Sequence, residues 1–187
     1  MSKILSWGQC DIFVRQYNGT SKGSTWLKFD TPVEDSTTLE TTEGNKTEAK
    51  VEGGENEAVR HAKSTYALKW EERIGAGHTD TVEDLDGIIA GEFEVLLFPT
   101  ENPTAPALYI PVADGSATDS YTSADGTKKA YTFDAVKNSV KVGATGSKKD
   151  LGQVAWGSAT LDGTTGLPTA FYAFKDPQTT KENLLGN

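Results

Sequence analysis

The tightest constraint on this chain is a run of eight residues in which polarity alternates. In Thr65-Tyr66-Ala67-Leu68-Lys69-Trp70-Glu71-Glu72, the residues Tyr66, Leu68 and Trp70 share one face, and Thr65, Lys69 and Glu71 share the other. A period of two fits a β-strand with one face on a core and one in water; a helix cannot satisfy it. The pattern recurs at residues 10–16, where Ile12 and Val14 oppose Phe13 and Arg15. It recurs again at 92–98, with Phe93, Val95 and Leu97 inward. Leu96 and Phe98 make that strand apolar on both faces, which predicts a central position. Composition agrees: 24 threonines, 12 serines and 19 glycines in 187 residues are the material of solvated strands and turns.

The remaining elements follow from turn signals. Asn18-Gly19 predicts a hairpin turn with a return strand over 24–29, ended by Pro32. Thr37 to Thr42 has strand propensity, and Glu43-Gly44-Asn45 and Gly53-Gly54 read as turns. Asp125-Gly126 predicts a hairpin between 121–122 and 130–133. Short strands are expected at 108–110, at an edge because Pro106 and Pro111 flank it, and at 140–142, 154–156 and 170–174. One helix is expected: Asp80 and Glu83 fit a capping box, Val82, Leu85, Ile88 and Ile89 have helical spacing, and Gly91 can end it. The expected fold is mainly β: two packed β-sheets, as a sandwich or barrel, with one short flanking α-helix and a long acidic hairpin arm. Residues 1–187 read as a single domain, with the arm at about 34–60 and a flexible C-terminal tail from about 176.

The charge is unevenly spread. The chain has 18 basic and 27 acidic residues, a net charge of −9, which argues against a generic nucleic-acid coat. Residues 34–57 hold eight acids against Lys46 and Lys50 and contain no aromatic residue. So polar a segment cannot form a core; it reads as a surface loop, or as a hairpin ordered by packing on another subunit.

Candidate chemistry is sparse. One cysteine, Cys10, rules out an internal disulfide framework and a cysteine-rich zinc module, and reads as a small buried strand residue. His61 and His78 have unrelated neighbours and are expected to be exposed. Glu71 and Glu72 are adjacent on a strand, point to opposite faces, and read as solvated charges. There is no Gly-x-Ser-x-Gly elbow and no P-loop, and Asp84-x-Asp86-Gly87 lacks the later ligands of a calcium loop. The expectation is no enzyme, no cofactor and no metal. The longest apolar run, Val95 to Phe98, is far too short for a membrane span, and residues 1–8 carry no signal-peptide pattern. Trp70 is expected in the core. On an exposed platform, Trp26 or Trp156 would suit a monomeric β-sandwich that binds carbohydrate or protein.

Three collinear stretches carry a resemblance: Lys3 to Val14; Ala49 to Glu55 leading into Lys63 to Trp70; and Asp86 to Val95, with Asp119 to Gly126 behind it. Together they resemble the major tail tube proteins of long-tailed bacteriophages, in particular those of prophages of Bacteroides-like bacteria. The resemblance implies a structural virion protein made in the bacterial cytoplasm and placed in the virion tail. It implies self-assembly into stacked, hexameric rings forming a tube through which DNA passes without specific binding. Implied partners are other copies of the chain and the tape-measure, tail terminator and tail-tip proteins, with no membrane. On this resemblance the inter-ring arm would use Glu40, Glu43, Lys46, Glu48, Lys50, Glu52, Glu55 and Glu57, paired with Lys128, Lys129, Lys148 or Lys149. The channel-facing strand would present Thr65, Lys69 and Glu71.

Overall fold

A computed structural model describes residues 8–18, 22–136, 140–144 and 146–186. Among these the chain is mainly β, with fourteen strands and no helix. The first are β1 (Cys10–Tyr17), β2 (Leu27–Lys28), β3 (Thr38–Thr42), β4 (Lys46–Lys50), β5 (Asn56–His61) and β6 (Thr65–Arg73). Next come β7 (Asp84–Leu85), β8 (Ile88–Pro99), β9 (Ala107–Thr122) and β10 (Gly126–Ala135). The last are β11 (Val140–Val142), β12 (Lys149–Gly152), β13 (Ala155–Leu161) and β14 (Pro168–Ala173).

Ten strands join one antiparallel sheet in the order β2-β1-β8-β9-β10-β6-β3, with β7 added to β8 and the β13–β14 hairpin added to β9. β4–β5 and β11–β12 are separate two-stranded sheets. The central position expected for residues 92–98 holds, since β8 lies between β1 and β9. Alternation then builds two cores on opposite faces. Ile12, Val14, Leu68, Trp70, Val95, Ile110, Tyr131 and Phe133 form the first, capped by Phe29 and Val82. Its aromatic rings pack closely, Trp70 on Tyr131 at 5.4 Å and Phe29 edge-on to Trp70 at 4.8 Å. Phe13, Leu96, Phe98, Tyr109 and Phe171 form the second, with Leu184 and Leu185 from the C-terminal segment.

Three expectations fail for physical reasons. The helix over 80–91 is absent. Asp84–Leu85 instead pairs with Ile88–Ile89 across Asp86-Gly87, whose φ angles are +50° and +86°. Two consecutive left-handed residues make a two-residue hairpin turn and cannot lie inside an α-helix. Apolar burial here has a period of two around the turn: Ile89 is buried while Leu85 and Ile88 are exposed.

The expected edge strand at 108–110 is the start of β9, the longest strand and an internal one. On one side β9 pairs with β13 through Ala107–Tyr109, then with β10 from Ala113 onward. Pro111 falls in the gap between these two partners, where its missing N–H costs no ladder bond.

The tail from 176 is packed. Asp176 is buried and accepts backbone N–H bonds from Gln178 and Glu182, each at 3.0 Å, and Leu184 and Leu185 enter the second core. The Asn18-Gly19 turn lies partly outside the described residues, and Trp7 wholly so; the expected return strand at 24–29 shortens to β2.

Candidate functional site

The outward face of β9, β10, β6 and β3 is a four-strand surface of hydroxyls and charges. Cross-strand register sets its rows: Ser116–Thr132–Lys69–Thr38, and beside it Asp114–Asp134–Ala67–Glu40. Thr118–Ala130–Glu71 and Ser120–Lys128–Arg73 continue it. No large apolar side chain stands in these rows, so the face is stable in water. Lys69 pairs with Glu40 at 2.7 Å, and Lys128 reaches Glu71 at 3.6 Å and Asp125 at 3.5 Å. Thr65, Lys69 and Glu71 therefore lie on one wet face, as the alternation requires. A shallow groove of about 490 Å³ runs over Glu40, Thr42, Thr65, Lys69, Thr132 and Asp134. β3 forms the sheet edge here, hydrogen-bonded on one side only, to β6.

The expected arm divides in two. Glu40 belongs to β3 and the main sheet, and Glu43 lies in the exposed connection that follows. The free-standing part is the β4–β5 hairpin, residues 46–61, in which every strand residue except Glu48 is exposed. Lys46 and Lys50 both pair with Glu48 along one face of β4, Lys50 at 3.7 Å. Ala49 lies opposite Ala58 and Thr47 opposite Arg60 on the other face. Glu52 and Glu55 flank the Gly53-Gly54 turn at the tip, and Glu57 lies on β5. Val51 and Val59 are exposed. Lys129 is held within the chain by Asp80 at 2.9 Å and by Asp84.

Two glutamates that alternation places inward are fully buried. Glu94 lies in the second core. Arg15 donates to it at 2.7 Å, Tyr109 Oη at 2.5 Å, and Lys22 Nζ stands at 3.2 Å. Arg15 also stacks over Trp26 at 4.5 Å and donates to the Leu185 carbonyl at 3.2 Å, and Lys22 donates to the Leu184 carbonyl. Burial, and then the Glu94 charge, push the Tyr109 hydroxyl well above its ordinary pKa, so it stays a donor.

Glu72 lies in the first core and is a correction to its reading as a solvated charge. Neither carboxylate oxygen has a hydrogen-bond partner, and neither do the neighbouring Trp70 Nε1 and Tyr131 Oη. Burial raises the Glu72 pKa from 4.5 to about 7, and the Asp30 charge adds to it; His78, the Trp70 indole and the Asp30 backbone oppose it without making a hydrogen bond of good geometry. His78, expected to be exposed, has a ring side chain only 8% exposed, set between Asp30 at 3.3 Å and Asp80 at 3.1 Å.

Among the described residues no group of three or more His, Cys, Asp or Glu is placed to hold a metal ion. Among the same residues no helix is long and apolar enough to cross a membrane. Cys10 is partly buried; burial pushes its thiol pKa up. Trp26 is buried under Arg15 and offers no platform. Trp156 is 43% exposed at a cleft of about 630 Å³ floored by Leu39, Leu68, Leu97 and Leu108. No family model matches the chain, and no curated protein matches it either.

Proposed function

We propose that this chain is a self-assembling structural subunit of the tail-tube type, closing into rings that stack around a channel. The supporting observation is the β4–β5 hairpin. An isolated two-stranded sheet in water is marginal, and in this one every strand residue except Glu48 is exposed. Such an arm gains by packing on a second copy. The β3 edge supports the reading, because an unpaired edge is protected when a neighbour's strand covers it. The hydroxyl-rich face of β3, β6, β9 and β10 suits a wet channel wall, and its acids Asp114, Asp134, Glu40 and Glu71 disfavour adhesion of DNA phosphates. In this reading DNA passes without specific binding, and the tape-measure, terminator and tail-tip proteins meet the ends of the tube.

The test is negative-stain electron microscopy of the concentrated chain beside a variant lacking residues 46–61. Rings or hollow tubes from the wild type, and folded but unassembled protein from the variant, are expected. Persistent wild-type monomers across a range of salt would overturn the reading, and normal tubes from the variant would remove the arm from it. A monomeric binding module is favoured by the exposed Trp156 at its cleft alone. A glycan or peptide ligand lost on Trp156→Ala would establish that alternative.

A further inference from the structure

The open end of the first core is covered by two segments, Phe29-Asp30 and the loop 74–83. Val82 and Phe29 plug it, and above them the contacts are ionic. Lys129 holds Asp80 at 2.9 Å, holds Asp84, and stands 4.0 Å from Asp119. His78 bridges Asp80 and Asp30. Few other bonds hold the loop to the body: Ile74 N–H to the Thr127 carbonyl at 3.0 Å, and Thr81 Oγ1 to the Lys28 carbonyl at 3.5 Å. Gly75 and Gly77 have open space around them and can serve as hinges.

Beneath this cover lies Glu72, with both oxygens unpartnered. Its cross-strand neighbour on the same face is Lys129. Directly opposed residues have Cβ atoms roughly 5 Å apart, within reach of a lysine. Yet the ammonium turns away from Glu72 to the carboxylates of the loop and of the β7–β8 hairpin. Lys129 thus has two sets of acidic partners and occupies one.

We propose that loop 74–83 is a proton-controlled latch in which Lys129 clasps Asp80 while Glu72 is neutral and swings to Glu72 when it ionises, freeing the loop. The groups facing this switch are Lys129 and Tyr131 from β10, Asp30 from the capping segment, His78 and Asp80 from the loop, Asp84 from β7, and Asp119 from β9. A new negative charge among Asp30, Asp80 and Asp84 is unfavourable without its own cation, and an unpaired buried carboxylate is costly. The lysine opposite Glu72 in register is Lys129, while the His78 charge already acts on the site. Departure of Lys129 leaves Asp80 with His78 alone and removes the strongest bond between loop and sheet. The raised pKa of Glu72 places the change near neutral pH. The latch works within one chain and is independent of assembly.

Amide hydrogen exchange of the full chain at about pH 5.5 and 8.5, corrected for intrinsic chemistry, reads the loop directly. In the wild type, residues 74–83 should exchange about tenfold faster at the higher pH, with the strands unchanged. Glu72→Gln should abolish this acceleration, and His78→Asn should keep it. The same acceleration in Glu72→Gln, or its loss in His78→Asn alone, overturns the proposal. Carbon-detected NMR titration of the Glu72 carboxyl in the wild type is an independent check, and a midpoint in the ordinary carboxylate range also overturns it.

Discussion

The two faces of the main sheet each bury one glutamate, and they treat it in opposite ways. Glu94, in the second core, receives Arg15, Lys22 and Tyr109. Glu72, in the first core, receives no hydrogen bond, although Lys129 stands opposite it in register. The difference lies in what each network has to hold. The cations around Glu94 also donate to the carbonyls of Leu184 and Leu185, so one buried charge ties β1 and β8 to the C-terminal segment. The cation near Glu72 is used on Asp80 and Asp84 to hold a loop, leaving the carboxyl to stay neutral by keeping its proton. A satisfied buried charge acts as a fixed clasp, and an unsatisfied one is a reservoir that responds to pH.

The largest expected effect breaks the first half of this contrast. Glu94→Ala strands Arg15 and Lys22 in a buried site, and should cost about 3 to 5 kcal/mol in urea unfolding at neutral pH. A loss near zero would mean the clasp is no firmer than a surface pair.

The second prediction concerns pH and Glu72. Its folded pKa, about 7, lies above its ordinary 4.5, so the native state binds the proton more tightly than the unfolded chain. This contribution to stability is complete below about pH 4.5, declines as pH rises toward 7, and is absent above it. Between about pH 5 and 8 the wild type should lose about 2 to 3 kcal/mol that Glu72→Gln does not lose. Parallel slopes for the two proteins would place Glu72 in a better-solvated site.

Tyr109→Phe sharpens the comparison further. It removes one donor to an ionised group while leaving Arg15 and Lys22 in place, so about 2 kcal/mol should disappear in the same unfolding assay. The smallest effect is expected from the arm. Removing residues 46–61 should change the stability of the body by about 0.5 kcal/mol or less, because all of their strand residues but Glu48 are exposed. A large loss on thermal unfolding would show that the hairpin is part of the core.

Much of this arrangement was legible in the chain. Parity along 65–72 already puts Glu72 on the side of Trp70 and Leu68, and parity along 92–98 puts Glu94 with Leu96 and Phe98. At Glu72 residue type favours a solvated charge and the strand period favours burial, and the period prevails. Over 80–91 the apolar spacing favours a period of 3.6, whereas the chain turns at Asp86-Gly87, an Asp-Gly pair like Asp125-Gly126. Apolar spacing over so short a stretch cannot choose between the two, whereas a two-residue turn that needs positive φ can.

The chain alone determined that the protein is built from alternating strands, that the strand over 92–98 is central, and that the stretch around Gly53-Gly54 is too polar to join a core. Those properties follow from local periodicity and composition, which act over a few residues. Only the tertiary structure decided that Pro111 falls where β9 changes partner, that the last residues close the second core, and that Lys129 goes to Asp80 and Asp84 rather than to Glu72. Each depends on groups far apart in sequence. A buried charge takes whichever partner the folded chain brings within reach, and the order of residues does not specify that choice.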